Sequence, residues 1–232
     1  MGEQGELRTL REWTPMTHLL QQIPLKAQKG LFTHDLNLTC VDCLSDFLVL
    51  GTNLGLVYWY DRRKDKLQRL RCENSTSPIV CVRVVSTVDY MIAVGSEDGN
   101  VTVFQIPRPV PDVAPPSLYS KQNRQIERFT IGGLHASPVT SLEWSPNGMS
   151  LFSGDKLGII VLTEIDFYMH LSKSREIINE KYEVVQLSYH SSTGAPHGKL
   201  LLVSTTYRTT LCSWRQEDRT WKVSQLGQRE RK

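Results

Sequence analysis

Short apolar runs, and not long helical stretches, dominate the hydrophobic pattern of this chain. In three places such a run ends at a glycine, and a second glycine follows four residues later. The glycine pairs are Gly51/Gly55, Gly95/Gly99 and Gly154/Gly158. Each pair lies in a similar frame with strand-like residues on both sides, and the three frames are Phe47–Asp61, Tyr90–Phe104 and Ser150–Leu162. The repetition predicts one glycine-containing β-hairpin for each copy of the frame.

A fourth copy of the frame, Lys199–Trp214, lacks both glycines and has Ser204 and Arg208 in their positions. The four anchor positions are 51, 95, 154 and 204, which are separated by 44, 59 and 50 residues. A period of about forty to fifty residues with a hairpin in each unit is typical of WD-type β-propellers. We therefore predict an all-β, WD40-like β-propeller with about four blades present, which form an incomplete ring.

The third repeat shows how each blade is built. Val139–Trp144 alternates apolar and polar residues, as a half-buried strand does, and Ser145–Gly148 follows as a turn. Leu151–Ser153 predicts the second strand, and the continuous apolar run Ile159–Leu162 predicts a third strand buried on both faces. Arg175–Ile178 is the candidate for the outer strand.

Gly154 and Gly158 are expected to span the hairpin of this repeat, where a Cβ would crowd the turn. His135 precedes the first strand, at the place where WD repeats usually carry Gly-His. We interpret it as a structural histidine that bonds within its own blade, and not as a catalytic residue. The Trp-Asp dipeptide of such repeats is replaced by Tyr60-Asp61, Phe104-Gln105 and Thr163-Glu164.

Two segments lie outside the repeats. Residues 1–30 are predicted to form an amino-terminal segment with a short amphipathic helix, which begins near Pro15 and ends at Pro24. Its apolar face would contain Met16, Leu19, Leu20 and Ile23. Residues 31–232 form the predicted propeller blades, and a proline-rich insertion at 107–118 lies between the third and fourth strands of the second blade. A smaller insertion, 194–198, interrupts the fourth repeat.

Composition and charge limit the classes of partner that the sequence indicates. Of the 232 residues 40% are hydrophobic and 22% are charged, and the net charge of +3 is too small to indicate a nucleic-acid partner. The densest basic run, Arg62–Lys66, follows a predicted strand. We interpret it as a solvated hairpin tip, with a lipid-binding loop as the alternative.

Nothing in the sequence forms a catalytic, cofactor or metal motif. Cys40 and Cys43 have metal-like spacing, but residues three apart on a strand point to opposite faces, which favours structural thiols. We find no nucleophile elbow, phosphate loop or clustered carboxylates, so we expect a protein that is not an enzyme. No apolar run approaches the length of a membrane span and the first residues are polar, so we expect a cytoplasmic protein that can be peripheral to endomembranes.

Three stretches carry a family resemblance: Leu20–Gly30, Trp144–Asp155 and Leu200–Thr205. They resemble the amino-terminal propeller of the tectonin β-propeller repeat-containing protein 2 family, and the similarity extends over residues 11–232. The propeller of the Hermansky–Pudlak syndrome five protein class is similar to a lesser degree. The propeller of the tectonin family continues for several more blades, so the resemblance leads us to expect that this chain is a truncated isoform or gene model.

The resemblance implies a non-enzymatic scaffold that acts in autophagy and in export from the endoplasmic reticulum. For the full-length family members it implies ubiquitin-like autophagy modifiers, coat components and tethering complexes as partners. Two alternatives stay open: a propeller that binds anionic lipid, and a trafficking-complex subunit in the biogenesis of lysosome-related organelles. Tyr168–Leu171 loosely fits a modifier-binding pattern, but the protein-binding residues of this chain stay unassigned.

Overall fold

The computed structural model of the chain describes residues 15–24, 36–73, 76–108, 125–166, 171–191 and 198–228. These residues form a short helix, α1 (Thr17–Gln21), and strands that build four four-stranded sheets. Each sheet consists of four consecutive antiparallel strands and is therefore one blade. The predicted all-β, WD40-like fold with four blades and a short amino-terminal helix is confirmed.

The strand bounds follow the repeats. The first blade contains β1 (Leu38–Leu44), β2 (Phe47–Thr52), β3 (Leu56–Asp61) and β4 (Lys66–Arg71). The second contains β5 (Ile79–Ser86), β6 (Tyr90–Ser96), β7 (Val101–Ile106) and β8 (Glu127–Ile131). The third contains β9 (Val139–Trp144), β10 (Ser150–Asp155), β11 (Ile159–Asp166) and β12 (Leu171–Asn179). The fourth contains β13 (Val184–Ser191), β14 (Lys199–Thr205), β15 (Arg208–Arg215) and β16 (Thr220–Gln228). The insertion after Ile106 thus lies between the third and fourth strands of its blade, as predicted.

The core lies between the blades and not within any one of them. One hydrophobic cluster joins the first and second blades, a second joins the second and third, and another joins the third and fourth. In the third repeat Ile160 and Leu162 are buried, as the continuous apolar run predicted. Among the described residues no such cluster joins the fourth blade to the first, so the described blades form an arc that no apolar contact of theirs closes.

The glycine pairs have two different roles, which corrects part of the sequence prediction. Gly158 has a positive φ of 92°, as do Gly55 (70°) and Gly99 (83°), so the second glycine of each pair supplies the turn geometry. Gly154, however, lies inside β10 and is not at positive φ. A Cβ on Gly154 would approach Cγ1 of Val184 to 2.6 Å. The first glycine therefore makes room for the next blade.

The same close approach recurs at the two earlier blade junctions. A Cβ on Gly51 would lie 2.7 Å from Cγ2 of Ile79, and one on Gly95 would lie 2.7 Å from Cγ1 of Val139. Ile79, Val139 and Val184 are fully buried and begin the first strands of the second, third and fourth blades. A β-branched residue at the start of one blade thus packs on a glycine of the preceding blade.

Polar contacts also link the first strands of successive blades. The guanidinium of Arg83 on β5 lies 2.8 Å from a carboxylate oxygen of Glu143 on β9 and 3.8 Å from one of Asp42 on β1. The indole N–H of Trp144 donates to the carbonyl of Arg83 at 3.1 Å. Blades one, two and three are therefore held in register by both apolar packing and charge.

Helix α1 covers the outer face of the first blade, but with a narrower apolar stripe than predicted. Leu19 and Ile23 are buried against Leu50, Tyr58 and Tyr60. Met16 and Leu20, which the sequence also placed on the buried face, are 39% and 46% exposed. The prediction for these two residues is wrong because α1 has only five residues and buries one of them, Leu19, whereas the second buried side chain comes from Ile23, which follows the helix.

The outer face of the fourth blade, in contrast, packs against nothing that the structure describes. Leu201, Val203 and Cys212 turn towards the third blade and are buried. The alternate positions Leu200, Leu202 and Leu211 point the other way and are half-buried, and Leu202 pairs with Leu211 across β14 and β15. The two ends of the arc therefore differ: α1 covers the first, and three leucines lie on the second.

Candidate functional site

His135 is part of a buried hydrogen-bond network in the third blade. Its Nδ1 lies 3.0 Å from a carboxylate oxygen of Asp155, and its Nε2 lies 2.8 Å from the hydroxyl of Ser153. The side chains of His135 and Asp155 are fully buried. Burial lowers the pKa of His135 by more than the hydrogen bond to Asp155 raises it. The interpretation of this histidine as a structural residue bonded within its own blade is confirmed.

The basic run Arg62–Lys66 contains the tight turn between β3 and β4 and ends at the first residue of β4, as predicted. Arg63 forms an ion pair of 2.6 Å with Asp46, and Lys64 forms one of 3.7 Å with Asp61. Arg62 donates to the carbonyl of Ser45 at 3.0 Å. Much of the positive charge is therefore engaged with carboxylates and carbonyls of the same blade.

Gln22, the C-cap residue of helix α1, forms hydrogen bonds to the turn between β3 and β4. The side-chain amide of Gln22 donates to a carboxylate oxygen of Asp65 at 2.9 Å, and its carbonyl accepts from the backbone N–H of Leu67 at the same distance. The hydroxyl of Tyr60 donates to Asp65 at 2.8 Å. The helix thus fixes the first blade both by burial and by polar contacts to its outermost hairpin.

The cysteines are separate thiols. Cys40 and Cys43 lie on β1, where Cys43 is exposed and Cys40 is half-buried. Burial raises the pKa of the thiols of Cys40 and Cys81 and raises that of Cys212 to about 12, so these groups are held in the protonated form. Among the described residues no group of three or more His, Cys, Asp and Glu side chains is arranged to hold a metal ion.

A cleft of ≈ 770 Å³ lies between the first and second blades. We call it the interblade cleft. The first blade contributes its β1–β2 turn, one face of β3, the β3–β4 turn and the start of β4. The second contributes the β5–β6 turn and the residues at both ends of its insertion, Ile106 to Arg108 and Ile126.

Three aromatic rings form the floor of the interblade cleft. Phe47 stacks on Trp59 with ring centroids 4.4 Å apart and an interplanar angle of 18°. Tyr90, from the second blade, lies 4.5 Å from Phe47 and 5.5 Å from Trp59. The guanidinium carbon of Arg108 lies 4.8 Å from the Tyr90 ring centroid, a cation–π geometry, and Arg108 also donates to the hydroxyl of Ser86.

The rim of the interblade cleft is charged. It carries four cationic side chains and two carboxylates, an excess of two positive charges: Arg63, Lys64, Lys66, Arg108, Asp46 and Asp61. Side-chain exposure is 77% for Arg63 and 64% for Lys64, so this rim faces solvent. The arrangement can bind an anionic group above an apolar, aromatic floor.

The sequence predicts the basic part of this rim but not the rest. Arg108 falls in the predicted proline-rich insertion, and the pattern gives Phe47 and Tyr90 no role beyond their strands. One signal was present: Phe47 and Tyr90 begin the second strands of their blades, on the same side as the basic turn. Residues 109–124, which include most of the proline-rich insertion, residues 192–197, and Tyr168–His170 of the modifier-like pattern lie outside the described residues.

Within the described residues no helix is long and apolar enough to cross a bilayer.

Comparison with known proteins finds similarity to a WD repeat in one part of the chain. Residues 129–162 match the WD domain, G-beta repeat family. Two computationally designed proteins solved by crystallography share the fold. Ika4 has a TM-score of 0.52 at 18% identity and is matched over 85% of this chain and 96% of its own. Ika8 has a TM-score of 0.55 at 17% identity and is matched over 78% of this chain and 46% of its own.

Curated relatives match the whole chain. The Drosophila melanogaster WD repeat-containing protein CG11141 is 44% identical over 100% of this chain, and human tectonin beta-propeller repeat-containing protein 2 is 35% identical over 100%. A BLOC-2 complex member HPS5 homolog of Anopheles gambiae is 27% identical over 83%. These matches confirm the resemblance predicted from the sequence. The chain spans 32%, 15% and 21% of the lengths of these three relatives.

Proposed function

We propose that this relative of tectonin beta-propeller repeat-containing protein 2 is a non-enzymatic protein-interaction scaffold of autophagy and early secretory traffic. The observation that carries the proposal is the 35% identity to that protein over the entire chain. The WD-repeat match supports the scaffold part, since propellers use their rigid blades and connecting turns to bind other proteins. The proposed partners are ubiquitin-like autophagy modifiers, coat components and tethering complexes, met in the cytoplasm or at endomembrane surfaces.

A proximity-labelling experiment in cells tests this proposal. The chain is fused to a biotin ligase, and the labelled proteins are compared with those of a fusion to an unrelated propeller. Enrichment of autophagy modifiers or of coat components of the early secretory pathway is the expected result. Labelling that matches the unrelated propeller would contradict the proposal.

A second candidate is a subunit of a trafficking complex in the biogenesis of lysosome-related organelles. It is favoured by the 27% identity to the HPS5 homolog, which is a BLOC-2 complex member. The same experiment separates the two candidates, because this one predicts that BLOC-2-type subunits are enriched in place of autophagy and coat proteins.

The lipid-binding alternative has weaker support from the geometry. Arg63 and Lys64 are paired with Asp46 and Asp61, and those carboxylates would face the same anionic surface. We expect the triple change Arg62→Ser, Arg63→Ser and Lys64→Ser to leave recruitment to phosphatidylserine-containing vesicles unaltered in flotation. Loss of recruitment on this change would favour the lipid-binding alternative.

A further inference from the structure

We propose that the interblade cleft is a docking site for an acidic peptide segment that carries aromatic or large apolar side chains. The inference deepens the proposed function and rests on it, since a scaffold of this kind must hold its partners at defined surfaces. The first support is shape. A cleft of ≈ 770 Å³ lies within the range of about 300–1,000 Å³ that is usual for ligand sites. Its floor comes from two blades, so the cleft is built by the packed propeller and not by one loop.

The aromatic floor provides the apolar part of the recognition. Trp59 is 4% exposed and anchors the stack, whereas Phe47 and Tyr90 are partly exposed at the base of the cleft. Partly exposed aromatic rings on a rigid sheet offer large contact area with little loss of conformational entropy on binding. Side chains of a peptide that pack on these rings would be buried between the blades.

The cationic rim provides the polar part. Among the described residues neither Lys66 nor Arg108 has a carboxylate within ion-pair distance, whereas Arg63 and Lys64 are paired. Lys66 and Arg108 come from different blades and stand on opposite walls of the cleft. A peptide carboxylate near Arg108 would complete a chain of contacts that already includes the Tyr90 ring and the Ser86 hydroxyl.

A peptide fits this rim better than a membrane surface does. Polybasic sites for anionic lipid carry clusters of roughly four to eight Lys and Arg residues. The rim of the interblade cleft has four, the lower end of that range, but Asp46 and Asp61 in the same rim reduce its excess to two positive charges, and the cleft is concave. A segment in which acidic and apolar residues alternate matches both the charges and the aromatic floor.

The test measures fluorescence anisotropy of a fluorescein-labelled peptide of repeating Glu-Asp-Phe units, titrated with the chain. A second peptide, with Lys in place of every acidic residue, controls for charge. We expect the acidic peptide to bind, the basic one not to bind, and the affinity to fall as salt is added. The double change Lys66→Glu and Arg108→Glu should weaken binding of the acidic peptide by about tenfold or more.

Two further variants distinguish a loss of peptide binding from a loss of the folded state. Lys156→Glu makes the same kind of charge change in the turn between β10 and β11, at the opposite end of the strands, and should leave binding unchanged. Tyr90→Leu keeps apolar volume but removes the ring beneath Arg108, and should weaken binding several-fold. Melting curves confirm that each variant is folded.

Several results would overturn the inference. They are no binding of the acidic peptide, equal binding of both peptides, or binding that the Lys66→Glu and Arg108→Glu changes leave intact. Binding of phosphatidylserine-containing vesicles in place of the peptide, lost in the same double variant, would assign the cleft to lipid headgroups. If the chain fails these binding tests but its biotin-ligase fusion still labels trafficking proteins in cells, the cleft is not the docking site. The proposed function is then not contradicted.

Discussion

At the scale of single residues, the two glycines of a pair are needed for different reasons. One is required by the local turn, and the other is required by packing against the next blade. Gly158 is needed for its positive φ of 92°, which local turn chemistry predicts. Gly154 is needed because Val184 of the following blade occupies the space of a side chain. The sequence shows both glycines, but the reason for the first becomes visible only when two blades pack together.

We expect Gly154→Val to lower the free energy of unfolding by roughly 1–3 kcal/mol, because the new side chain overpacks the contact with Val184. The matched control is Ser204→Val. Ser204 pairs with Gln186 as Gly154 pairs with Ser141, but no blade that the structure describes packs on it. We expect this control to stay within about 0.5 kcal/mol of the parent chain. Chemical denaturation measures both, and equal losses would show that blade packing does not explain the glycine.

The His135 network predicts a dependence of stability on pH. Burial lowers the pKa of His135 below its ordinary value of 6.5, so below that pH the unfolded chain binds more protons than the folded one. Its contribution to stability is therefore complete above about pH 6.5 and declines as the solution is acidified, by at most about 1.4 kcal/mol per pH unit. We expect His135→Gln to have a shallower decline between about pH 7 and about pH 5.5. If the free energy of unfolding falls equally steeply with decreasing pH in the two proteins, the proposed contribution of His135 is contradicted.

At the scale of elements, the sequence predicts the strands well, because the alternation of apolar and polar residues that marks a strand is visible within a few neighbouring positions. The four strands of the third blade lie where the repeat placed them, including the outer strand around Arg175–Ile178. The helix was predicted at the correct place, but its buried face was assigned from spacing alone. Which turn of a short helix meets the sheet depends on Tyr58 and Tyr60, about forty residues away.

The amino-terminal segment should stabilise the first blade through two buried side chains, Leu19 in α1 and Ile23 just after it. We expect the double change Leu19→Ala and Ile23→Ala to lower the free energy of unfolding by more than about 2 kcal/mol, the lower end for a single such truncation, since both side chains are 3% exposed. The control is Met16→Ala with Leu20→Ala, which removes apolar residues from the exposed side of the same helix and should cost about 0.5 kcal/mol or less. Similar losses in the two double variants would mean that α1 does not pack as described.

At the scale of the whole molecule, the repeat pattern of the sequence does not predict which residues line the interblade cleft. Trp59 and Tyr90 belong to different repeats, and Arg108 was read as the start of an insertion. Their proximity follows from the blade packing that Gly51 and Ile79 permit. The repeats predict that such packing occurs, but they do not predict which side chains line the groove that it leaves.

The open arc leaves the outer face of its fourth blade uncovered by any residue that the structure describes. Closed propellers leave no uncovered blade face, whereas here α1 covers the first blade and the outer face of the fourth carries Leu200, Leu202 and Leu211. Repeat proteins usually need a polar cap on a terminal unit to stay soluble. The fourth blade has serine and threonine positions around these leucines, but its apolar centre remains.

Light scattering on the purified 232-residue chain, combined with size-exclusion chromatography, tests whether the fourth blade is uncovered. We expect the chain to associate through this blade, so the measured mass should exceed the 26.5 kDa of one chain and should increase with concentration. A monodisperse species of 26.5 kDa that melts cooperatively would contradict it, because four blades would then be closed or capped without a partner.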